Sequence, residues 1–388
     1  MRLLPRAVPA VLAALGCAMP ALAQESAAPD GIDWSVGLRG SYVTGSGGAG
    51  RAELLLTPEA SLALAGGSTE TRLDAGGEFI VDSTGQVRVA NVRAGAESTL
   101  RVDAETTLTG SIDSEMRQLR PDDSSLPLNT LTAPLDWSTS ARGSATREFG
   151  PFTARVTLDG ERLTRGPTTL DDLSTIDNSD QSYWQGGATL RLGYAVTPLL
   201  DVFVEGEASA QKFDAPSPVL LTYLDGRTYE ARAGLSYAHG TAIAAEASIG
   251  RAWLDYVDPG LTDAPSWVYN ASLSVRPDET LELEGALETT LGPSATVAGD
   301  TDVTISATQT ARYSVNPLLT LRGSAGWNQT NVLGAGDVSW GYEIGAGLDY
   351  RSSRHVVWTA DYLFRRDEAP PAPASDTHSV SVGVRVER

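Results

Sequence analysis

Apolar and polar residues alternate with a period of two along most of the chain. The segment Leu281–Glu288 reads Leu-Glu-Leu-Glu-Gly-Ala-Leu-Glu, and the same alternation runs through Tyr342–Asp349 and Val380–Glu387. Successive side chains of a β-strand point to opposite faces, so each segment has one apolar and one polar face. The alternating segments extend over about 12 to 15 residues, whereas strands of soluble proteins average about five to six. The pattern therefore predicts an all-β protein whose strands are long enough to cross a membrane.

Short turns and longer loops follow one another along the sequence. Eight short turns are separated by nine longer connections that carry Pro and Asp, for example 120–134, 165–180 and 214–225. Seventeen connections predict a transmembrane antiparallel up-and-down β-barrel of about 18 strands, with 16 as the alternative, turns in the periplasm and both termini on that side. The turns are expected near Gly66-Gly67, Glu97-Ser98, Gly150-Pro151, Thr197-Pro198, His239-Gly240, Pro277-Asp278-Glu279, Asn316-Pro317 and Ser352-Ser353.

Pro58 lies within the predicted second strand. In a closed barrel every strand has two neighbours, and proline has no N–H to donate to either of them. We therefore expect a bulge or a local break near Thr57-Pro58.

Tryptophan and tyrosine collect near the ends of the predicted strands. Such amphipathic rings form two girdles at the two interfaces of a membrane barrel. The residues expected at these interfaces are Trp137, Trp184, Trp267, Trp340, Trp358 and Tyr350.

The polar face of the alternating segments is rich in charge. An Arg or Lys facing lipid at the bilayer midplane costs about 2 to 4 kcal/mol, so we expect these charges to face the lumen. Excess carboxylate predicts a preference for cations or neutral sugars over anions. Alternatively, Arg and Glu pair across neighbouring strands and brace the wall. The predicted pore-lining residues are Glu205, Glu207, Glu230, Arg232, Glu282, Glu284, Glu288, Arg322, Glu343, Asp349, Asp361, Arg365 and Arg385.

Two long loops, 117–133 and 165–181, are candidates to fold inward and narrow the pore. The second carries four aspartates, for which three roles stay open: a solvated outer loop, a constriction or a divalent-cation site. These aspartates are Asp171, Asp172, Asp177 and Asp180.

The N-terminus has the composition of a cleavable signal peptide. Arg2 and Arg6 precede an apolar run, and Ala21-Leu22-Ala23 offers small residues to a signal peptidase. Cys17 lies in a weak lipoprotein-like box, which is the alternative. We predict a signal peptide over 1–23, a short periplasmic segment over 24–31 and the barrel over 32–388 of a Gram-negative outer-membrane protein.

Composition and charge exclude several classes of function. The formal net charge of −20 argues against nucleic acid as a partner. The three histidines form no cluster with cysteine, so no metal or other cofactor is predicted. Only His378, near Asp376, could support chemistry at a barrel rim, and an isolated His–Asp pair is usually a surface feature. We predict that the protein is not an enzyme.

Two segments resemble a known family. Residues 197–214 (Thr-Pro-Leu-Leu-Asp-Val-Phe-Val-Glu-Gly-Glu-Ala-Ser-Ala-Gln-Lys-Phe-Asp) are similar to a hairpin start of the β-barrel porin type 2 family, and 229–256 continues the pattern. The resemblance implies an outer-membrane location and a porin-like barrel. A water-filled pore that passes hydrophilic solutes is expected from the strand count, because barrels of 16 to 18 strands leave an aqueous channel. Some members resemble barrels of exopolysaccharide-secretion loci, which implies polymer export as a further role, with export components as partners. The family offers no catalytic residues to transfer.

Other expected partners follow from the predicted location. They are outer-membrane lipid with lipopolysaccharide, and the barrel-assembly machinery, although the chain closes on Val386-Glu387-Arg388 rather than on an aromatic residue. A non-conducting structural or surface-interaction barrel is the alternative function.

Overall fold

The computed structural model describes residues 31–45, 50–82, 85, 87–121, 126–127, 129–294, 301–333, 338–369 and 374–388. The predicted signal peptide and residues 24–30 of the predicted periplasmic segment lie outside these residues. Within the described ranges, no helix is both long and apolar enough to cross a bilayer.

Eighteen long strands form one closed antiparallel barrel, which confirms the predicted fold class and strand count. Each strand pairs with its neighbours in sequence, and the first strand also pairs with the last, so the sheet has no free edge. The wall strands are β1 (Ile32–Gly45), β2 (Arg51–Ala65), β3 (Thr69–Asp82), β4 (Val87–Arg101), β5 (Thr106–Gln118), β7 (Leu135–Phe149), β8 (Phe152–Arg165), β11 (Tyr183–Thr197), β12 (Leu200–Phe213), β13 (Gly226–His239), β14 (Ile243–Tyr256), β15 (Ala264–Val275), β16 (Leu281–Pro293), β17 (Thr301–Asn316), β18 (Leu319–Leu333), β19 (Val338–Ser353), β20 (Val356–Glu368) and β21 (Ser375–Glu387). Three short strands lie in the loops: β6 (Thr130–Thr132), β9 (Thr168–Leu170) and β10 (Thr175–Ile176).

The register of the strands sets the width of the barrel. Following paired residues once around the wall returns to β1 about 22 residues further along the strand. For strands about 4.8 Å apart, this stagger corresponds to a tilt of about 40° and a radius of about 18 Å. Barrels of this size leave an aqueous channel between their walls.

Both chain ends of the described barrel lie at the rim of the short turns, where the backbone N–H of Arg388 donates to the carbonyl of Trp34. One predicted turn is wrong. Glu97 and Ser98 lie inside β4, and the chain turns instead at 102–105, where Asp103 accepts the N–H groups of Glu105 and Thr106. Glu97 and Ser98 are consecutive polar residues near the end of β4, where Glu97 faces inward and Ser98 lies close to the turn-side rim. Two consecutive polar residues are also typical of a turn, which is why the sequence indicated one here.

Pro58 produces the expected local break, but on one side only. The ladder between β1 and β2 runs through the pair Val36–Pro58 without interruption. On the β3 side, pairing stops after Leu56 and resumes at Glu59 without a shift in register. The missing N–H of Pro58 therefore removes the backbone pairs of Thr57 and Pro58 with β3. The inward and outward faces of β2 still alternate as before.

Aromatic side chains mark the two rims of the outward-facing surface. At the loop side, Trp184 is 61% exposed and Trp267 53%. At the turn side, Tyr350 and Trp358 face each other across β19 and β20. Trp137 and Trp340 lie on the same outward register near the loops. In β11, Trp184 and Tyr194 lie near opposite ends of the strand, which at a tilt of about 40° spaces the two rims by about 25 Å.

One seam in the wall differs from all the others. Backbone pairing between β15 and β16 is limited to five residue pairs, from Val275–Leu283 to Ala271–Leu287, whereas every other ladder of the barrel wall has at least eleven. Nearer the loops, the hydroxyl of Thr289 accepts the N–H of Tyr269 at 3.1 Å and donates to its carbonyl at 3.0 Å. A side chain thus takes the place of the partner backbone along this seam.

A small apolar core lies beside the seam. The inward-facing Leu254 and Val268 are each 2% exposed, and Thr289 is 5% exposed. The hydroxyl of Tyr256 lies 3.2 Å from that of Thr301, which begins β17. The inner faces of β14 and β15 are therefore covered here rather than open to the lumen.

The turn below the seam holds β15 and β16 together. Asp278 accepts the hydroxyl of Thr280 at 2.6 Å and the N–H groups of Thr280 and Leu281 at 2.8 and 3.1 Å. These hydrogen bonds hold the pKa of Asp278 below its usual value, and the bond from the Thr280 hydroxyl has the largest effect. Arg276 adds ion pairs at 2.5 Å to Glu282 and 2.7 Å to Glu284.

We predict a pH-dependent contribution from this turn. A carboxyl whose pKa is lowered by folding stabilises the native state above its unfolded pKa of about 3.9, and this stabilisation is lost as the pH falls through the lower folded value. Asp278→Ala should therefore unfold at a lower temperature than the wild type at pH 7, and the difference should vanish in strong acid. Thermal unfolding in detergent from pH 7 to pH 2 measures this. A difference that persists unchanged in acid would contradict the role of the carboxylate.

Candidate functional site

The inner face of the wall surrounds a polar cavity of about 900 Å³. Arg142 of β7 and Leu291 of β16 both line it, although their strands are far apart in the sheet. A cavity shared by distant strands lies inside the barrel. Charged groups from β8 and from β11 to β14 dominate its wall.

The predicted pore-lining residues all lie on the inward register. Glu205 is opposite Arg232 and Glu207 is opposite Glu230, while the intervening Val204 is 56% exposed on the outer face. The remaining residues lie on the same inward register: Glu282, Glu284, Glu288, Arg322, Glu343, Asp349, Asp361, Arg365 and Arg385.

Five charged side chains from four strands form what we term the arginine–glutamate cluster: Arg191, Glu205, Glu230, Arg232 and Glu246. Arg191 binds Glu246 through two hydrogen bonds of 2.7 Å each. Arg232 donates from Nε to Glu205 at 2.8 Å and pairs with Glu230 at 2.9 Å. Because planar guanidinium groups bind carboxylates in fixed geometry, the cluster is a rigid charged surface rather than a set of free side chains.

The cluster spans four strands because the wall bends sharply beneath it. A Cβ atom on Gly250 would meet the Ala231 carbonyl and would lie 2.5 Å from Cβ of Arg232. A Cβ atom on Gly234 would meet the Phe203 ring and would lie 2.5 Å from the Ala247 carbonyl. Only glycine permits such close approach of β13 to its neighbours. The bend brings β11 and β14 close enough for Arg191 to reach Glu246.

Phe203 forms the floor of the cluster. It faces inward but is only 4% exposed. The guanidinium carbon of Arg191 lies 3.5 Å from the centre of its ring, which is a cation–π contact. An aromatic ring in the lumen is thus covered by charge, and the surface presented to the channel stays hydrophilic.

A second group, the Arg322 cluster, lies on the far side of the barrel. Arg322 contacts Asp349 at 2.8 Å and Asp361 at 2.7 Å, and Asp361 lies 3.8 Å from Arg39 of β1. The space beside Gly347 is occupied by these groups, since a Cβ there would lie 3.2 Å from the Arg322 guanidinium. Here too the charges pair across strands and brace the wall.

Other predicted residues have local partners or none. Arg365 pairs with Asp367 at 2.7 Å rather than with the opposite Glu343. Arg385 pairs with Glu387 at 3.0 Å. In the part of the chain that the structure describes, three carboxylates of the predicted set make no ion pair or hydrogen bond: Glu207, Glu288 and Glu343.

Sequence reasoning missed several members of the two clusters. Arg191, Glu246 and Arg39 lie on the inward register of their strands. The alternation Thr-Leu-Arg-Leu around Arg191 is the signal that could have placed it there. Its pairing with Glu246 has no such signal, since it depends on the bend at Gly234 and Gly250.

The two long loops meet at the mouth of the barrel. Their short strands β6, β9 and β10 form a small antiparallel sheet. At the start of the first loop, Arg120 lies 2.6 Å from Glu53, on the inner face of β2. This end of the loop therefore lies against the inner wall.

The aspartates of the second loop organise its own backbone. Asp172 accepts the hydroxyl of Ser174 at 2.5 Å and its N–H at 2.9 Å, and Asp177 accepts the N–H of Ser179 at 3.0 Å. The two bonds from Ser174 hold the pKa of Asp172 below its usual value, and the bond from the Ser174 hydroxyl has the largest effect. These carboxylates shape the loop, and among the described residues no cluster of His, Cys, Asp or Glu side chains has a metal-binding arrangement.

His378 and Asp376, the pair considered for chemistry, have separate partners. His378 lies on the outward register of β21, with Nδ1 2.9 Å from the hydroxyl of Tyr362. Asp376 lies 3.4 Å from Arg366. The histidine is part of the aromatic rim, next to Phe364 at 4.9 Å between ring centres.

Comparison with known families decides the class of the barrel. The model of the family described as "Putative beta-barrel porin 2" matches residues 62–388. The chain belongs to this porin family. It is an outer-membrane barrel of porin type. No curated protein matches the sequence.

Several solved outer-membrane proteins are similar in shape to this porin-family barrel. OpdK from Pseudomonas aeruginosa is 14% identical, with 92% of this chain and 100% of that chain covered and a TM-score of 0.43. OccK2 (OpdF) from the same organism, in complex with glucuronate, is 13% identical, with 92% and 98% covered and a TM-score of 0.45. The siderophore receptor PirA from Acinetobacter baumannii is 8% identical, with 94% and 81% covered and a TM-score of 0.46. These values are too low to indicate a substrate.

Proposed function

We propose that the protein is an outer-membrane channel for hydrophilic solutes with a preference for cations and neutral sugars over anions. The observation that carries this proposal is the charged inner face of a wide barrel. The wall has a radius of about 18 Å, and its inner face presents ion-paired arginines together with additional carboxylates. Among the described residues, the regular elements outside the wall are three short loop strands and one 3₁₀ turn, Ser179–Gln181. A hydrated lumen with this lining lets polar molecules pass without a desolvation barrier.

The unpaired acids set the sign of the preference. The two clusters neutralise their arginines internally, so these cations do not attract mobile anions. Glu207, Glu288 and Glu343 have no ion-pair partner in the described residues. Seven acids and four arginines line the cavity, so excess negative potential remains on the inner wall even though Arg142 and Arg155 also lack an ion pair there. A lining of this sign concentrates cations and repels anions, whereas neutral sugars are unaffected by it.

We expect single channels in planar bilayers to conduct and to favour K⁺ over Cl⁻ by at least about twofold at 0.1 M salt. The Debye length is about 10 Å at 0.1 M and about 3 Å at 1 M, so the preference should fall in concentrated salt as wall charges cease to reach the channel axis. Reversal potentials under a KCl gradient measure this at both concentrations.

Three outcomes would change the conclusion. Preference for Cl⁻ would exclude the proposed role of the unpaired acids. Absence of conductance from a correctly folded barrel would favour a non-conducting structural or surface-interaction protein. Loss of surface polymer on deletion of the gene, with conductance intact, would indicate polysaccharide export rather than solute uptake.

A further inference from the structure

Four basic side chains face outward on strands β8, β12, β13 and β14. Arg162, Lys212, Arg227 and Arg251, which we term the outer basic patch, all lie on the register of the lipid-facing residues. Lys212 is the only lysine in the chain. Lys212 and Arg227 are exposed, and Arg162 and Arg251 are half-exposed.

The patch lies at the level of the loop-side aromatic rim. Trp184 is paired in register with both Arg162 and Lys212, and Trp267 is paired with Arg251. The guanidinium carbon of Arg162 lies 5.1 Å from the Trp184 ring, and that of Arg251 lies 5.3 Å from the Trp267 ring. Aromatic rings of this kind sit at the headgroup level of a bilayer. The cations are therefore held at the depth of lipid headgroups.

The rest of the outward-facing surface does not share this charge. The other outward-facing arginines on the described strands are Arg147, at the opposite rim, and Arg366, which pairs with Asp376 at 3.4 Å. A cation that faces lipid is costly unless it is neutralised. The protein has a net charge of −20, yet four basic residues lie together on one side of one rim. We therefore expect an anionic group to neutralise them there.

The protein supplies only part of that counterpart. Asp214 accepts two hydrogen bonds from Arg162, one of 2.8 Å, and Asp255 lies opposite Arg227 in the ladder. Lys212 makes no ion pair or hydrogen bond within the described part of the chain. The patch retains net positive charge after both carboxylates are counted.

We propose that the outer basic patch binds the phosphate groups of a phosphorylated glycolipid in the outer leaflet. Phosphate accepts hydrogen bonds from several cations at once, and Lys and Arg are its usual protein partners. The neighbouring Trp184 and Trp267, exposed on the lipid-facing surface, offer apolar surface to acyl chains. The ligand is thus anchored by its phosphates at the rim and by its chains along the wall.

The test compares binding of bisphosphorylated lipid A to the full-length purified barrel and to two variants. Lys212→Gln/Arg227→Gln removes the two most exposed cations of the patch, while Arg147→Gln removes one outward cation at the opposite rim. Near a surface each basic residue contributes about fivefold in affinity for anionic lipid. We therefore expect binding by the double variant to be at least about tenfold weaker than by the wild type, and binding by Arg147→Gln to be unchanged. Native mass spectrometry measures lipid occupancy, and heat-modifiable gel migration verifies that all three barrels are folded.

Dephosphorylated lipid A and inorganic phosphate identify what is recognised. We expect the dephosphorylated lipid to bind the wild type as weakly as lipid A binds the double variant. Equal affinity for phosphorylated and dephosphorylated lipid would overturn the proposal, as would full binding by the double variant. Competition by inorganic phosphate at the affinity of lipid A would also overturn it, because the site would then recognise the free ion rather than a lipid.

Discussion

Gly250→Ala is expected to destabilise the barrel by about 3 kcal/mol or more. A Cβ atom at this position would overlap the Ala231 carbonyl and Cβ of Arg232. The first of these is backbone in a hydrogen-bonded ladder, so relief requires β13 and β14 to separate. Separation would flatten the bend that brings Arg191 to Glu246 and would break the arginine–glutamate cluster as well. Thermal unfolding in detergent and heat-modifiable gel migration measure the loss.

Gly143→Ala is the matched control for this substitution. Gly143 also lies in the middle of a wall strand, but nothing is within 4 Å of the position that its Cβ would occupy. We expect it to unfold at the temperature of the wild type. If Gly250→Ala is as stable as Gly143→Ala, the wall is not sharply bent at β13.

Arg232→Met should cost about 3 kcal/mol of stability, because it leaves Glu205 and Glu230 without their common cation in a site where Glu205 is only 8% exposed. Methionine keeps much of the side-chain volume, so the loss reports charge rather than a cavity. The same variant adds negative charge to the lumen. Its K⁺ over Cl⁻ permeability ratio at 0.1 M salt should rise above that of the wild type.

A charge-balanced variant separates these effects. Arg232→Met/Glu205→Gln removes one charge of each sign, so the net charge of the lumen is unchanged. We expect it to recover a large part of the stability lost in Arg232→Met and to return the selectivity to that of the wild type. A double variant no more stable than the single one would assign the loss to packing around residue 232 instead of to the unpaired acids.

Much of the wall could be predicted from the sequence because one rule governs it. A period of two fixes which side chains face the lumen, so Glu205, Arg232 and Asp361 could be placed on the inner face without knowledge of their partners. The count of 18 strands followed from the alternation of turns and loops and is confirmed. The turn expected at Glu97-Ser98 was wrong because polarity alone does not distinguish a rim residue of a strand from a turn.

Partnerships that skip strands could not be predicted in this way. Arg191 and Glu246 are three strands apart, and their contact depends on the steric fit of two glycines rather than on any periodicity. Arg365 has an acid directly opposite, yet it pairs with Asp367 on its own strand. The alternation gives the face of a residue, and the curvature of the wall then decides its partner.

The seam between β15 and β16 changes how the barrel responds to mutation. In every other ladder, amide groups that are common to all residues hold neighbouring strands, so an exchange of one side chain leaves the connection in place. Above Ala271 that connection is made by the Thr289 hydroxyl. In the described wall, the connection between the two strands at this position therefore depends on the side chain at position 289. A substitution that removes the Thr289 hydroxyl removes a connection between β15 and β16 that the backbone does not supply at this position.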